Sequence, residues 1–160
     1  MLLIFWEAKE NPVTKEAIGK ALSRIPDKLT GCKLSASPAI TDYKKRIIRV
    51  ILVDSARIKH LNKTYRRIDK ETDVLSFAEL DFIKGVPAGT QSAVFLREEK
   101  ILGEIYINYD WVKNMKHKIQ DKLIQKLFIH GYLHLLGYDH EKDYGEMSQL
   151  EKKLNKSCLQ

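Results

Sequence analysis

"RIIRVILVDS", residues 46–55, runs from a β-branched apolar stretch straight into an aspartate and a serine. Valine and isoleucine fit the pleated, half-buried surface of a strand, and a run of this length suits a strand better than a helix. Asp54 and Ser55 then offer side-chain oxygens to the unpaired N–H groups of a helix's first turn. The segment therefore reads as a strand over 46–53 feeding a helix that puts Ile58, Leu61 and Tyr65 on its inner side and reaches Arg66.

Outward from this unit, strands and helices mix without the regular alternation of a doubly wound sheet. Upstream, "MLLIFW" at 1–6 reads as a strand: it has no basic leader and is far too short to cross a membrane. A helix capped by Thr14 carries Ala17, Ile18, Ala21, Leu22 and Ile25 on one stripe and ends at Pro26 and Gly31. "KLSAS" at 33–37 is a weaker strand. Downstream, "TDVLSF" (72–77) and "ILGEIYIN" (101–108) read as strands, and 81–92, with Gly85, Pro87 and Gly89, as a loop that could border a site. Asp110 is placed to cap a helix leading towards a longer one over 121–136, with Leu123, Leu127 and Phe128 inward. A last helix over 143–156 turns Met147, Leu150 and Leu154 inward. The expected class is α+β, a small mixed β-sheet packed with helices, in one domain spanning 1–160.

Composition agrees with a folded chain, 44% hydrophobic and 31% charged, with no repeat or low-complexity tract. Lysine and arginine outnumber aspartate and glutamate by 28 to 21, a formal charge of +7 that favours polyanionic partners. A merely basic, solvated surface accounts for that charge equally well. Cys32 and Cys158 are too few and too far apart for a disulfide framework, which points to a reducing compartment.

The chemistry concentrates in "IHGYLHLLGYDH", 129–140, which holds three of the five histidines. Positions four apart share a helix face, so His130 and His134 can present their rings to one ion. Gly137 permits the left-handed backbone that ends a helix, and the loop beyond it can return His140 as a third nitrogen ligand. Three imidazoles suit Zn²⁺ and leave a position open for water or substrate. A structural zinc site closed by Asp139, Asp143 or Glu146 is the alternative. Asp139 is expected to hydrogen-bond behind the ligands or to order the loop. Met147 reads as core rather than as a floor beneath the metal, and His60 and His117 as hydrogen-bonded core residues. The spacing is that of the H-E-x-x-H-x-x-G-x-x-H zinc peptidases, except that Gly131 stands where their general-base glutamate would be. Peptide hydrolysis needs that group to protonate a poor amine leaving group, so its absence argues against a peptidase. A carboxylate at 131 is expected to lie near the open metal position, in space that the glycine leaves for substrate.

"HGYLHLLGYDH" resembles the signature of the YbeY endoribonucleases, bacterial rRNA maturation factors. "LNKTYRRIDKETDVLSF" at 61–77 is similar to that family's second motif and "LGEIYIN" at 102–108 to its third. The resemblance covers residues from about 46 to 140. It departs from the family's pattern at Glu71, Ala78 and Glu104, none of them a proposed ligand. It implies one zinc per chain on His130, His134 and His140, with Arg66 as the arginine beside the metal. The implied activity is a cytoplasmic, single-strand-specific, metal-dependent endoribonuclease acting in 16S rRNA 3′-end maturation and ribosome quality control. Its partners would be single-stranded RNA, rRNA and ribosomal particles, with no membrane association.

The residues make this chemistry sensible on their own terms. Attack at a phosphodiester adds negative charge, and a bound cation beside a guanidinium supplies stabilisation where that charge develops. Arg66 can donate two hydrogen bonds to phosphate oxygens, while Arg67, Lys63 and Lys70 flank it as contacts along an RNA backbone. The nucleophile is either a water activated at the metal or the RNA 2′-hydroxyl. A non-catalytic RNA-binding assembly factor whose zinc only shapes the fold stands as the rival reading, and the oligomeric state stays open.

Overall fold

The β-branched run forms the strand it predicts. In the structure, a computed structural model describing residues 2–8, 16, 19, 47–79, 82–83, 86–87, 101–113 and 116–158, this strand is β2 (Ile47–Val53). It is followed by α1 (Ser55–Arg66), whose N-cap Asp54 accepts a hydrogen bond from the Arg57 N–H at 2.8 Å. The remaining elements are β1 (Leu2–Trp6), β3 (Val74–Ala78), β4 (Phe82–Ile83), β5 (Val86–Pro87), β6 (Ile101–Asn108), α2 (His117–Leu135) and α3 (Glu146–Cys158). The helix expected from Thr14 lies outside the described residues apart from Glu16 and Gly19, both helical, as does the strand at 33–37. The segment expected to be a loop over 81–92 instead contains a small antiparallel ribbon, Phe82 opposite Pro87 and Ile83 opposite Val86.

The main sheet runs β1-β2-β6-β3, its first three strands mutually parallel and β3 antiparallel to β6. It is the small mixed sheet of an α+β fold. Alternation along the strands sorts side chains to two faces. Val50, Leu52, Ile105 and Ile107 join a cluster with Ile124, Phe128, Leu133, Met147 and Leu154, so α2 and α3 cover one face. Ile51, Val53 and Leu75 meet Ile58 and Leu61 of α1 on the other. Pairing jumps from Ile47↔Ile101 to Ile48↔Gly103, and the bulge lets Leu102 share the first cluster with Ile105 despite their odd spacing.

Three local expectations are corrected. Asp110 starts no helix: it lies in a 3₁₀ turn (Tyr109–Trp111), and its carboxylate accepts the Ser55 N–H at 2.9 Å, helping Asp54 to cap α1. That contact and the Lys113 ammonium at 2.6 Å, the larger cause, hold its carboxyl below the usual range. In the last turn of α1, Tyr65 is 66% exposed, its ring meeting that of Phe77 on the edge strand in a T-shaped pair with centroids 5.0 Å apart. The inner position of that turn belongs to Asn62, buried with its amide donating to the Lys70 carbonyl at 2.7 Å. His60 is exposed on the outer face of α1 and is no core histidine; for His117, the structure describes only its place at the start of α2.

Candidate metal centre

Helix α2 delivers His130 and His134 from adjacent turns, their Nε2 atoms 3.2 Å apart. Two nitrogens bound to one tetrahedral zinc at 2.0–2.1 Å lie roughly 3.3 Å apart, so this spacing fits such an ion. The helix then stops in a pattern of two backbone bonds, Tyr138 N–H to the Leu133 carbonyl (3.1 Å) and Gly137 N–H to the His134 carbonyl (2.9 Å). Gly137 has φ 76°, where a side chain would be strained, and Tyr138 packs with Leu133 in the core. The turn returns His140, whose ring lies 5.5 Å from His130 and 5.3 Å from His134 between centroids. One ligand atom from each histidine lies within 4.8 Å of the others, and no fourth such residue joins the group among the described residues.

Electrostatics suit neutral ligands. Burial, then the neighbouring His130 and His140, push the His134 imidazole below its ordinary pKa, while a hydrogen bond with the Tyr138 backbone partly opposes them. Neutral imidazole is the form a metal needs.

The histidines open into a cleft of about 680 Å³ that is also lined by Arg66, Thr72, Asp73, Ser76, Ala78 and Asp139. Arg66 arrives from the end of α1, on the opposite face of the sheet from α2, and the two sides meet at β3, the edge strand. The backbone after Arg66 turns sharply through Arg67, the one non-glycine described residue with positive φ (61°). Arg67 and Lys70 are exposed, whereas Lys63 donates to Asp69 at 2.7 Å. Asp139 accepts the Glu141 N–H at 3.0 Å and pairs with Lys142 at 2.9 Å. Lys142 first, then that N–H, hold its carboxyl below the usual range, so its charge orders the loop carrying His140.

Gly131 does not sit where the peptidase comparison places it. It is buried, and a Cβ built on it would stand 2.8 Å from Ile105 Cγ2 on β6. The glycine is the point where α2 crosses the sheet, on the face away from the cleft, and leaves no space for substrate. A glutamate there would be driven into the core. Sequence reasoning also missed Glu151 of α3, whose carboxylate lies 3.6 Å from His130 Nδ1. Its only signal is an acidic residue interrupting the apolar stripe of Met147 and Leu154.

The family model for endoribonuclease YbeY matches residues 7–158. A protein named endoribonuclease YbeY from Sulfurovum sp. is 39% identical over 150 residues, covering 91% of this chain and 85% of that one. One of the same name from Nitratiruptor sp. is 40% identical over 120 residues, 75% of this chain and 73% of its own. The solution structure of TM1509 from Thermotoga maritima is similar with a TM-score of 0.52 at 26% identity, covering 99% of this chain and 89% of that one.

Proposed function

This chain belongs to the YbeY endoribonuclease family, and from that premise we propose that it is a zinc-dependent endoribonuclease cutting single-stranded RNA. Its place is the maturation of the 16S rRNA 3′ end and ribosome quality control, in the cytoplasm, as a single domain over 1–160. The observation that carries the reading is one cleft lined both by the three clustered histidines and by Arg66. No helix among the described residues is long and apolar enough to cross a membrane.

His130, His134 and His140 would hold the ion, and a three-ligand set keeps one position free for chemistry. When bound, zinc supplies Lewis-acid stabilisation of the charge that builds on the phosphate. Arg66 forks onto two phosphate oxygens, orients the scissile group and strengthens its hold as charge develops. Arg67 and Lys70 track the flanking backbone without reading bases, while Lys63 reaches a phosphate only by leaving its pair with Asp69. The Asp139–Lys142 pair holds the loop that fixes His140 against the other two rings.

Metal analysis of purified protein, followed by cleavage of a single-stranded RNA with and without chelator, tests the proposal. About one zinc per chain and chelator-sensitive cleavage are expected. A zinc-loaded protein that binds RNA and leaves it intact would establish the assembly-factor reading instead.

A further inference from the structure

Glu151 sits on the inward side of α3. Positions 147, 151 and 154 share a helix face, and Met147 and Leu154 are each 1% exposed in the core. A carboxylate on such a stripe is favoured by a partner, because its charge is partly withdrawn from water. Among the described residues its ion-pair partner is His130, with Oε2 3.6 Å from Nδ1 and side-chain exposures of 28% for the histidine and 20% for the glutamate. The other ring nitrogen of His130, Nε2, is the one that meets His134 at 3.2 Å. The imidazole therefore spans two demands, an ion on one side and an acidic residue on the other.

We infer that Glu151 is a positioning residue for the metal centre, accepting the Nδ1–H of His130 so that the Nε2 lone pair faces the ion. The contact needs only a small closing movement: 3.6 Å lies about 0.6 Å beyond an ordinary N–H···O separation. Fixing a histidine's second nitrogen selects its tautomer, locks its ring plane and raises its basicity as a ligand. The arrangement complements the bond between His134 and the Tyr138 backbone. Both helix-borne ligands are then held from behind, one by backbone within the same turn and one by a side chain from another helix. Through this contact the packing of α3 against α2 becomes part of the metal site. The inference rests on the metal-binding part of the proposed function and not on the identity of the substrate.

The test measures zinc affinity by chelator competition, and the visible spectrum of the cobalt-substituted protein, on full-length chains. Glu151→Ala should weaken zinc about 10- to 100-fold, the usual effect of removing such a partner, and alter the cobalt spectrum. Glu151→Gln, whose amide oxygen still accepts Nδ1–H, should recover most of the affinity. In a His130→Ala background, Glu151→Ala should change affinity less than about twofold, since its route to the metal has gone. Loss of the same factor in both backgrounds would make Glu151 a helix-packing residue and overturn the inference, as would wild-type affinity in Glu151→Ala. A wild-type chain that binds neither zinc nor cobalt overturns the metal reading itself, and this inference with it.

Discussion

Replacing Gly131 with alanine should destabilise the protein, although glycine-to-alanine changes inside helices normally stabilise by about 0.8–1.0 kcal/mol. The new methyl would lie 2.8 Å from Ile105 Cγ2, whereas non-bonded carbons rest about 3.5–4.0 Å apart. The overlap of roughly 0.7 Å or more has no easy release. Ile105 is 0% exposed, and its strand is held by β2 on one side and β3 on the other. Overpacking costs about 1–3 kcal/mol, and the rigid surroundings place this site in the upper half of that range. Subtracting the propensity gain leaves a net loss of about 1–2 kcal/mol. At about 2–4 °C per kcal/mol for a chain of this size, the melting temperature should fall by roughly 2–8 °C. Gly19 supplies the control, being helical with no atom of another described element within 4 Å of a built Cβ, so Gly19→Ala should hold or raise the melting temperature. Ile105→Ala alone should cost about 2–5 kcal/mol, and adding Gly131→Ala should return part of that by filling the space. Calorimetry on metal-free protein reads all four variants. If Gly131→Ala melts higher than wild type, α2 has room above β6 and the steric account of the missing glutamate is wrong.

His134→Ala should purify without stoichiometric zinc; normal metal content would remove the basis of the site. Arg66→Ala should leave zinc content and melting nearly unchanged while cutting RNA cleavage at least tenfold, with Lys restoring only part because it lacks the fork. Wild-type cleavage at limiting substrate would return Arg66 to an ordinary surface role. Because the His134 pKa is lowered in the fold, the unfolded chain takes up that proton first. Metal-free protein should therefore keep its full stability above pH of about 6.5 and lose it as pH falls below, with a shallower acid slope in His134→Asn; equal slopes would contradict the assigned burial. Burial first, and then the hydrogen bond to Glu104, push the Tyr106 hydroxyl up to about 12 from 10.0. Its share of stability should hold below pH 10 and fade between 10 and 12, since the unfolded chain ionises first, and Tyr106→Phe should abolish that part of the alkaline slope in melts recorded over this range.

How much of this was legible in the sequence depended on whether the relevant physics was local. The β2–α1 unit follows from a β-branched run and its caps, and the histidine turn from helical spacing plus a glycine, all within a dozen residues of each other. Gly131 looked like a hole beside the metal because spacing says which residues share a face but not what lies opposite each face. Only the crossing with Ile105 reveals it as a contact. Asp110 carries a good capping side chain, yet the helix it caps begins at Ser55, a pairing created by the parallel packing of β2 and β6. Tyr65 has the right period for burial, but it meets Phe77 on the edge strand β3 and stays 66% exposed. Glu151 lies on another helix, and no local pattern ties it to His130.

The two halves of the candidate site reach the cleft from opposite faces of the sheet, so their separation is set by whatever fixes the edge strand to the helix beneath. Gly103 occupies that place. It pairs with Ala78 across β6 and β3, and a Cβ on it would collide with the Phe77 carbonyl oxygen and approach Leu135 Cδ2 to 2.7 Å. Phe77 belongs to the strand that lines the Arg66 side, and Leu135 is the last residue of the helix carrying His130 and His134. Any side chain at 103 must displace the Phe77 backbone carbonyl, which does not yield cheaply, and also shift the Leu135 side chain. One glycine therefore keeps the strand on the Arg66 side close to the end of the helix that carries His130 and His134. Displacing a reacting group by about 1 Å can cost on the order of a hundredfold in rate. The narrowness of the β6 crossings, at Gly103 and at Gly131, is a condition of the fold and, under the proposed function, of the chemistry as well.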